Sequence, residues 1–201
     1  MPRPLLIWGI LGTAAVLPLF AALLSPLLAY RQPIYIIAGF AGIVGFALMP
    51  LQPLAAARLL PGLSPQGAKR LHVWLGAGLV AAVVVHVGGL WIFSPPDVVD
   101  ALLLRSPTPF SVWGVAAAGA ILLAGLLAVL RARLPLRAIR WRILHMAFAA
   151  TAVCGTVAHV LLIDGTMEMM TKLMLCAVAL FATLRGLIAL WPWFRRLAVR
   201  R

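Results

Sequence analysis

Six long apolar runs, at about 5–29, 33–50, 71–93, 110–130, 143–163 and 173–194, are separated by short polar or proline-containing breaks. Each is close to the roughly 20 residues that an α-helix needs to cross about 30 Å of hydrocarbon. A backbone in lipid must satisfy its own N–H and C=O groups, so the runs are predicted to form an all-α, six-helix transmembrane bundle. With 64% hydrophobic residues and a mean hydropathy of +1.09, a water-soluble globular domain is excluded. The opening MPRPLLIWGILGTAAVLPLFAALL has a basic start like a secretory signal. Its apolar stretch is too long for a signal core and no small-x-small cleavage site follows it, so it reads as a retained first span. Pro18, Pro26 and Pro50 are expected to kink or stop the first two spans. The breaks are short, so residues 1–201 read as a single transmembrane domain with its core at about 33–192.

Seventeen Lys and Arg stand against four Asp and Glu, for a formal charge of +13. Alternation along six spans sorts thirteen of the cations to one side: Arg3, Arg58, Lys69, Arg70, Arg131, Arg133, Arg137, Arg140, Arg142, Arg195, Arg196, Arg200 and Arg201. The other side holds Arg31, Arg105 and Lys172 with all four acids, Asp97, Asp100, Asp164 and Glu168, and Arg185 falls inside a span. We call these the basic and acidic sides. Positive charge collects on the cytoplasmic face, so both termini are expected in the cytoplasm of a bacterial inner-membrane, multi-pass protein. The clusters face lipid head groups rather than forming a basic stripe, and nucleic acid is not an expected partner. Cys154 and Cys176 lie within apolar runs and suit neither a disulfide nor a metal pair.

The four histidines all fall within predicted spans, His72 and His86 in the third and His145 and His159 in the fifth. Both pairs are fourteen residues apart, close to four whole turns, so each pair lies on nearly one helix face with a rise of about 21 Å. The third and fifth spans run in the same direction. His72 and His145 are therefore expected near the basic side, and His86 and His159 near the acidic side. Face-to-face packing would create two stacked sites of two imidazoles, a donor set suited to bis-imidazole haem iron. The alternative is four buried polar residues bonded to backbone or to one another. Zinc or copper would call for further Cys, Asp, Glu or His at one level, and no such companions are evident. Two b-type haems at different depths imply electron transfer across the membrane.

Other residues are candidates for supporting roles. Lys69 and Arg70 precede His72, and Arg142 precedes His145 by one turn; each would meet a haem propionate or a lipid phosphate. Arg185 would pair with a propionate or a quinone-like oxygen, or snorkel to the interface. Trp74, Phe148 and Phe181 are candidates to pack on porphyrin, whereas Trp8, Trp91, Trp113, Trp141, Trp191 and Trp193 read as interface anchors. Thr151 and Thr156 would serve a histidine's second nitrogen or the helix itself. Gly39, Gly42, Gly45, Gly76 and Gly78 allow close helix or ring contact, or reflect ordinary glycine enrichment in membrane helices.

The pattern resembles the ferric reductase-like transmembrane domain family, which includes the haem subunit of the bacterial periplasmic methionine sulfoxide reductase system. RLHVWLG at 70–76 is similar to that family's first ligand segment, with His86 its second ligand, and WRILH at 141–145 with His159 is similar to the matching pair. GFAGIVG at 39–45 is similar to its glycine-rich early span. The resemblance implies heme b, two per chain, and electron flow from a cytosolic donor to an acceptor across the membrane. The few residues after the last span hold no GxGxxG-like motif, so no soluble flavin or nicotinamide domain is expected, and FAD and NAD(P)H are expected only through a partner. The expected donor is a cytosolic flavin reductase or a membrane quinol. The expected acceptor is a periplasmic redox protein, ferric iron or oxygen. Two other readings stay open: a quinone-linked diheme cytochrome b subunit of a dehydrogenase complex, and a noncatalytic membrane assembly or scaffold protein.

Overall fold

The computed structural model describes the backbone of residues 3–199 and the side chains of residues 4–190. Among these residues the chain is all-α: α1 (Arg3–Leu23), α2 (Pro33–Leu48), α3 (Leu51–Ala56), α4 (Pro65–Phe93), α5 (Pro95–Leu102), α6 (Ser111–Val129), α7 (Ala138–Leu162) and α8 (Met169–Val199), with 3-10 turns at Pro26–Tyr30 and Leu130–Ala132. Six segments are long and apolar enough to cross a membrane: Pro4–Leu23, Pro33–Ala56, Pro65–Phe93, Ser111–Ala132, Ala138–Leu162 and Met169–Leu190. This is a multi-pass transmembrane bundle. Large apolar side chains such as Leu24, Ile92 and Val129 are exposed on its outside, as a surface bathed in lipid requires.

The helix ends depart from the sequence expectation for local reasons. The first span was expected to reach residue 29 but stops at Leu23, because Pro26 holds Ser25 in an extended conformation and begins a separate 3-10 turn. α4 starts six residues before the expected 71, at Pro65, with the Ser64 side chain accepting from the Gly67 amide at 3.0 Å. α8 starts at Met169 rather than 173, because the Glu168 carboxylate accepts from the amides of Met170 and Thr171 at 2.9 and 3.1 Å. Lys172 thereby moves from the rim into the helix. The short helices α3 and α5 both end on a non-glycine residue in the left-handed region, Arg58 at φ 58° and Leu104 at φ 57°. In each, the following amide reaches back five residues, Leu59 to Leu54 and Arg105 to Asp100, which closes the helix in the manner usually reserved for glycine.

Two hairpins of closely packed helices make up the centre. In the first, α2 lies against α4; a Cβ on Gly89 would stand 2.8 Å from the Ala38 Cβ, and one on Gly45 3.4 Å from that of Ala82. In the second, α6 lies against α7, where a Cβ on Gly155 would meet the Trp113 carbonyl at 3.0 Å. Without a hydrophobic force between helices in lipid, such small-residue seams supply the association. α8 packs on α1, α3 and α7, burying Leu175, Cys176, Ala179 and Ala182 and bringing Gly186 onto Pro53. α4 and α7, by contrast, are not among the closely packed pairs. They face each other across a gap.

Candidate functional site

Histidine side chains span that gap at two levels. The rings of His72 and His145 have centroids 6.2 Å apart and planes at 70°; those of His86 and His159 are 6.5 Å apart at 81°. The level-by-level pairing expected from the fourteen-residue spacing is therefore present. Each level combines one ring from α4 with one from α7.

What aims these rings is the backbone of the neighbouring helix. Nδ1 of His72 meets the Gln52 carbonyl at 3.2 Å, Nδ1 of His86 the Ala38 carbonyl at 2.7 Å, and Nδ1 of His159 the Phe110 carbonyl at 2.9 Å. A carbonyl only accepts, so Nδ1 in each of these rings carries the proton and Nε2 keeps its lone pair. That is the tautomer of a metal-ligating imidazole held from behind by a backbone acceptor. For His145 the facing acceptor is Ala124, but no hydrogen bond closes to Nδ1. The four carbonyls follow a rule of their own. Gln52 lies fourteen residues after Ala38 and Ala124 fourteen after Phe110, which repeats the histidine interval on the two supporting segments.

Glycines make room for the acidic-side rings. A Cβ on Gly42 would stand 3.0 Å from Nδ1 of His86, and one on Gly114 would stand 2.7 Å from Nδ1 of His159. Each glycine lies four residues after the carbonyl that holds its ring. Gly42 thus has the ring-contact role, whereas Gly45, Gly76 and Gly78 meet Ala82, Gln52 and Leu48. At the basic side Trp141 lies over His145, with centroids 5.1 Å apart and planes at 8°, and its Nε1–H donates to the Leu127 carbonyl at 2.9 Å. The Arg131 guanidinium sits 5.4 Å from the Trp141 ring centre.

A cavity of about 820 Å³ lies at the acidic-side level, between the histidine helices and under α5. Its lining includes His86, His159, Gly42 and Gly114, together with the charged and polar Arg31, Asp97, Thr108 and Lys172. The volume falls within the roughly 300–1,000 Å³ of cofactor-sized sites.

The supporting residues fare unevenly. Arg142 is half-buried one turn before His145, and Thr156 lines the cavity. Arg70 and Trp74 are exposed, Trp74 at 75%, because two residues either way from His72 is most of a half-turn around α4. Lys69, Phe181 and Thr151 are also exposed, and Phe148 packs against the central core. Arg185 is exposed beside the buried stripe of α8 and does not line the cavity that holds His86 and His159. Trp8 donates to the Pro61 carbonyl at 3.1 Å, and Trp91 and Trp113 are about half exposed. The side chains of Trp191, Trp193, Arg195 and Arg196, with Arg200 and Arg201, lie outside the described residues. Sequence reasoning missed Gly114 and gave Trp141 only an interface role, although its four-residue spacing from His145 was a signal for ring contact.

A family model, the ferric reductase like transmembrane component, matches residues 41–156. The chain belongs to this family. The matched stretch holds α4 and α6 whole, the second half of α2 and most of α7, and includes His72, His86 and His145, while His159 lies three residues past its end. No curated protein and no solved structure matches the chain.

Proposed function

We propose that this ferric reductase-like membrane protein carries electrons across the bilayer through two b-type haems, one between His72 and His145 and one between His86 and His159. The observation that carries this reading is the ring spacing at both levels. Two imidazole nitrogen–metal bonds of about 2 Å each, with about 1 Å from each nitrogen to its ring centre, set coaxial rings roughly 6 Å apart. The observed 6.2 and 6.5 Å suit that span. Among the described residues no three of His, Cys, Asp and Glu converge, and a donor set of two imidazoles per level fits a metal whose other positions a macrocycle fills.

Bound haem iron supplies a one-electron ferric/ferrous couple at each leaflet. The chain's residues do the rest. Backbone carbonyls fix three histidines as Nδ1–H tautomers, and glycines let the two acidic-side rings approach. Arg142 is the basic-side residue best placed to meet a propionate, with Arg70 farther out and Trp74 facing lipid. The basic side faces the cytoplasm and both termini lie there, in the inner membrane of a bacterium. The donor is a cytosolic flavin reductase, which brings FAD and NAD(P)H, or membrane quinol. The acceptor is an extracytoplasmic redox partner, as the likeness to the haem subunit of the methionine sulfoxide reductase system implies, or ferric iron or oxygen.

Haem per chain and the reduced-minus-oxidised spectrum of the purified protein test the reading. Two b-type haems per chain are expected. A colourless, folded protein would favour the scaffold reading and sink this one. Faster reduction by a quinol analogue than by NADPH with a flavin reductase would move the function to a quinone-linked cytochrome b.

A further inference from the structure

Lys172 is only 3% exposed, yet among the described residues its ammonium meets a backbone carbonyl and no carboxylate. Nζ donates to the Ile163 carbonyl at 2.5 Å, which uses one of its three donor positions. The acids nearby are committed or solvated. Glu168 caps α8 with both carboxylate oxygens, and Asp97 and Asp164 are exposed. Burying an ammonium is unfavourable unless an anion and hydrogen bonds compensate it. The same residue lines the cavity whose walls carry His86 and His159. Arg31, the other cation lining the cavity, is exposed and stacked 4.8 Å over the Tyr35 ring, so it does not offer a buried charge.

We infer that Lys172 is the anchor for a carboxylate on the edge of the macrocycle bound between His86 and His159. The inference rests on the haem reading above and deepens it. Ile163 directly follows the last turn of α7, four residues from His159, and Lys172 lies in the first turns of α8. The Lys172–Ile163 bond therefore ties the anchoring charge to the helix end that carries the ligand. A carboxylate meeting Lys172 completes a charge pair around a buried ammonium, where it is worth far more than at a surface.

The test uses the full chain in a His145→Ala background, prepared without haem, so that the acidic-side pair is titrated by itself. The probes are haemin and haemin dimethyl ester, which lacks free carboxylates. Lys172→Met is expected to weaken haemin binding about tenfold or more. Lys172→Arg restores most of that loss, and the ester binds the Met variant and the unsubstituted chain alike. Haemin binding unchanged by Lys172→Met overturns the anchor. So does a loss of the same size with the ester, which would assign Lys172 to helix packing or to an anion other than the macrocycle's. If the chain with Lys172 intact binds neither probe, the haem reading falls first and this inference with it.

Discussion

At the acidic-side level both histidines donate from Nδ1 to carbonyls at 2.7 and 2.9 Å, and both rings lie in space that a glycine leaves open. At the basic-side level the one such bond is 3.2 Å, His145 has none, and that ring is held by the Trp141 face instead. The two buried polar atoms left unpaired among the described residues, Nδ1 of His145 and Nε2 of Gln52, both belong to this second level. The same plan of a helix hairpin offering carbonyls to histidines is thus carried to completion at one end of the molecule and left partly open at the other. A bonded Nδ1 fixes the tautomer and raises the basicity of the opposite nitrogen. The comparison teaches that ring position is set by chemistry at one level and by stacking at the other, and that the two sites should fail in different ways.

The largest effect comes from removing a ligand. His159→Ala or His86→Ala is expected to lose the acidic-side haem and keep the other, and His72→Ala or His145→Ala to do the reverse. Each variant would then retain about one of two haems. Pyridine haemochrome quantification with low-temperature spectra distinguishes the two losses, and equal retention in all four variants would refute the pairing.

Next in size are the glycines. Gly114→Ala places a methyl group 2.7 Å from Nδ1 of His159, and Gly42→Ala one at 3.0 Å from that of His86. Either must push the ring from its carbonyl, and loss of such a support costs about 10–100-fold in metal affinity. Gly114→Ala should be the more severe. Haem retention during extraction with an apo-globin acceptor measures both, and a basic-side haem lost in parallel would show that the change acts on the whole bundle.

Much of this architecture was readable in the sequence because lipid leaves few choices. Apolar length specifies the spans, loop charge sorts the sides, and the fourteen-residue interval on two co-directional helices puts the histidines level. Gly114 was not readable, since a glycine in SVWGVAAAGA looks like any other small residue of a membrane helix until the opposite ring is known. Lys172 was misplaced by a few residues for a local reason: Glu168 acts as a cap, so α8 starts earlier than its apolar run. The displaced boundary turned a rim cation into a buried one. α5 was missed because eight residues beginning Pro-Pro carry too little periodicity to separate a helix from a turn.

Trp141 tests the basic-side half of the comparison. Its ring is parallel to His145 and is fixed by the Leu127 carbonyl, so Trp141→Leu keeps apolar bulk while removing both the stack and the donor. With no Nδ1 bond to fall back on, His145 should gain freedom to rotate. The expected result is a few-fold faster loss of the basic-side haem and a broadened low-spin spectrum, with the acidic-side haem unchanged. A spectrum identical to that of the unsubstituted chain would mean that ligation alone orients His145.

The smallest effect is expected at Arg185, the position that the sequence marks most loudly. α8 buries Leu175, Cys176, Ala179 and Ala182 along one stripe, and Gly186 continues it against Pro53. Arg185 lies one residue, about 100°, away from Gly186 and is exposed. A long side chain there reaches the lipid interface along the helix surface, where its charge is tolerated. Arg185→Gln should therefore leave haem content at both levels unchanged, whereas Arg142→Gln, half-buried beside His145, should lower basic-side retention a few-fold. If Arg185→Gln instead abolished reduction by a quinol analogue with both haems in place, the exposed face of α8 would be a quinol entry point. The donor would then be read as lipid-borne rather than cytosolic.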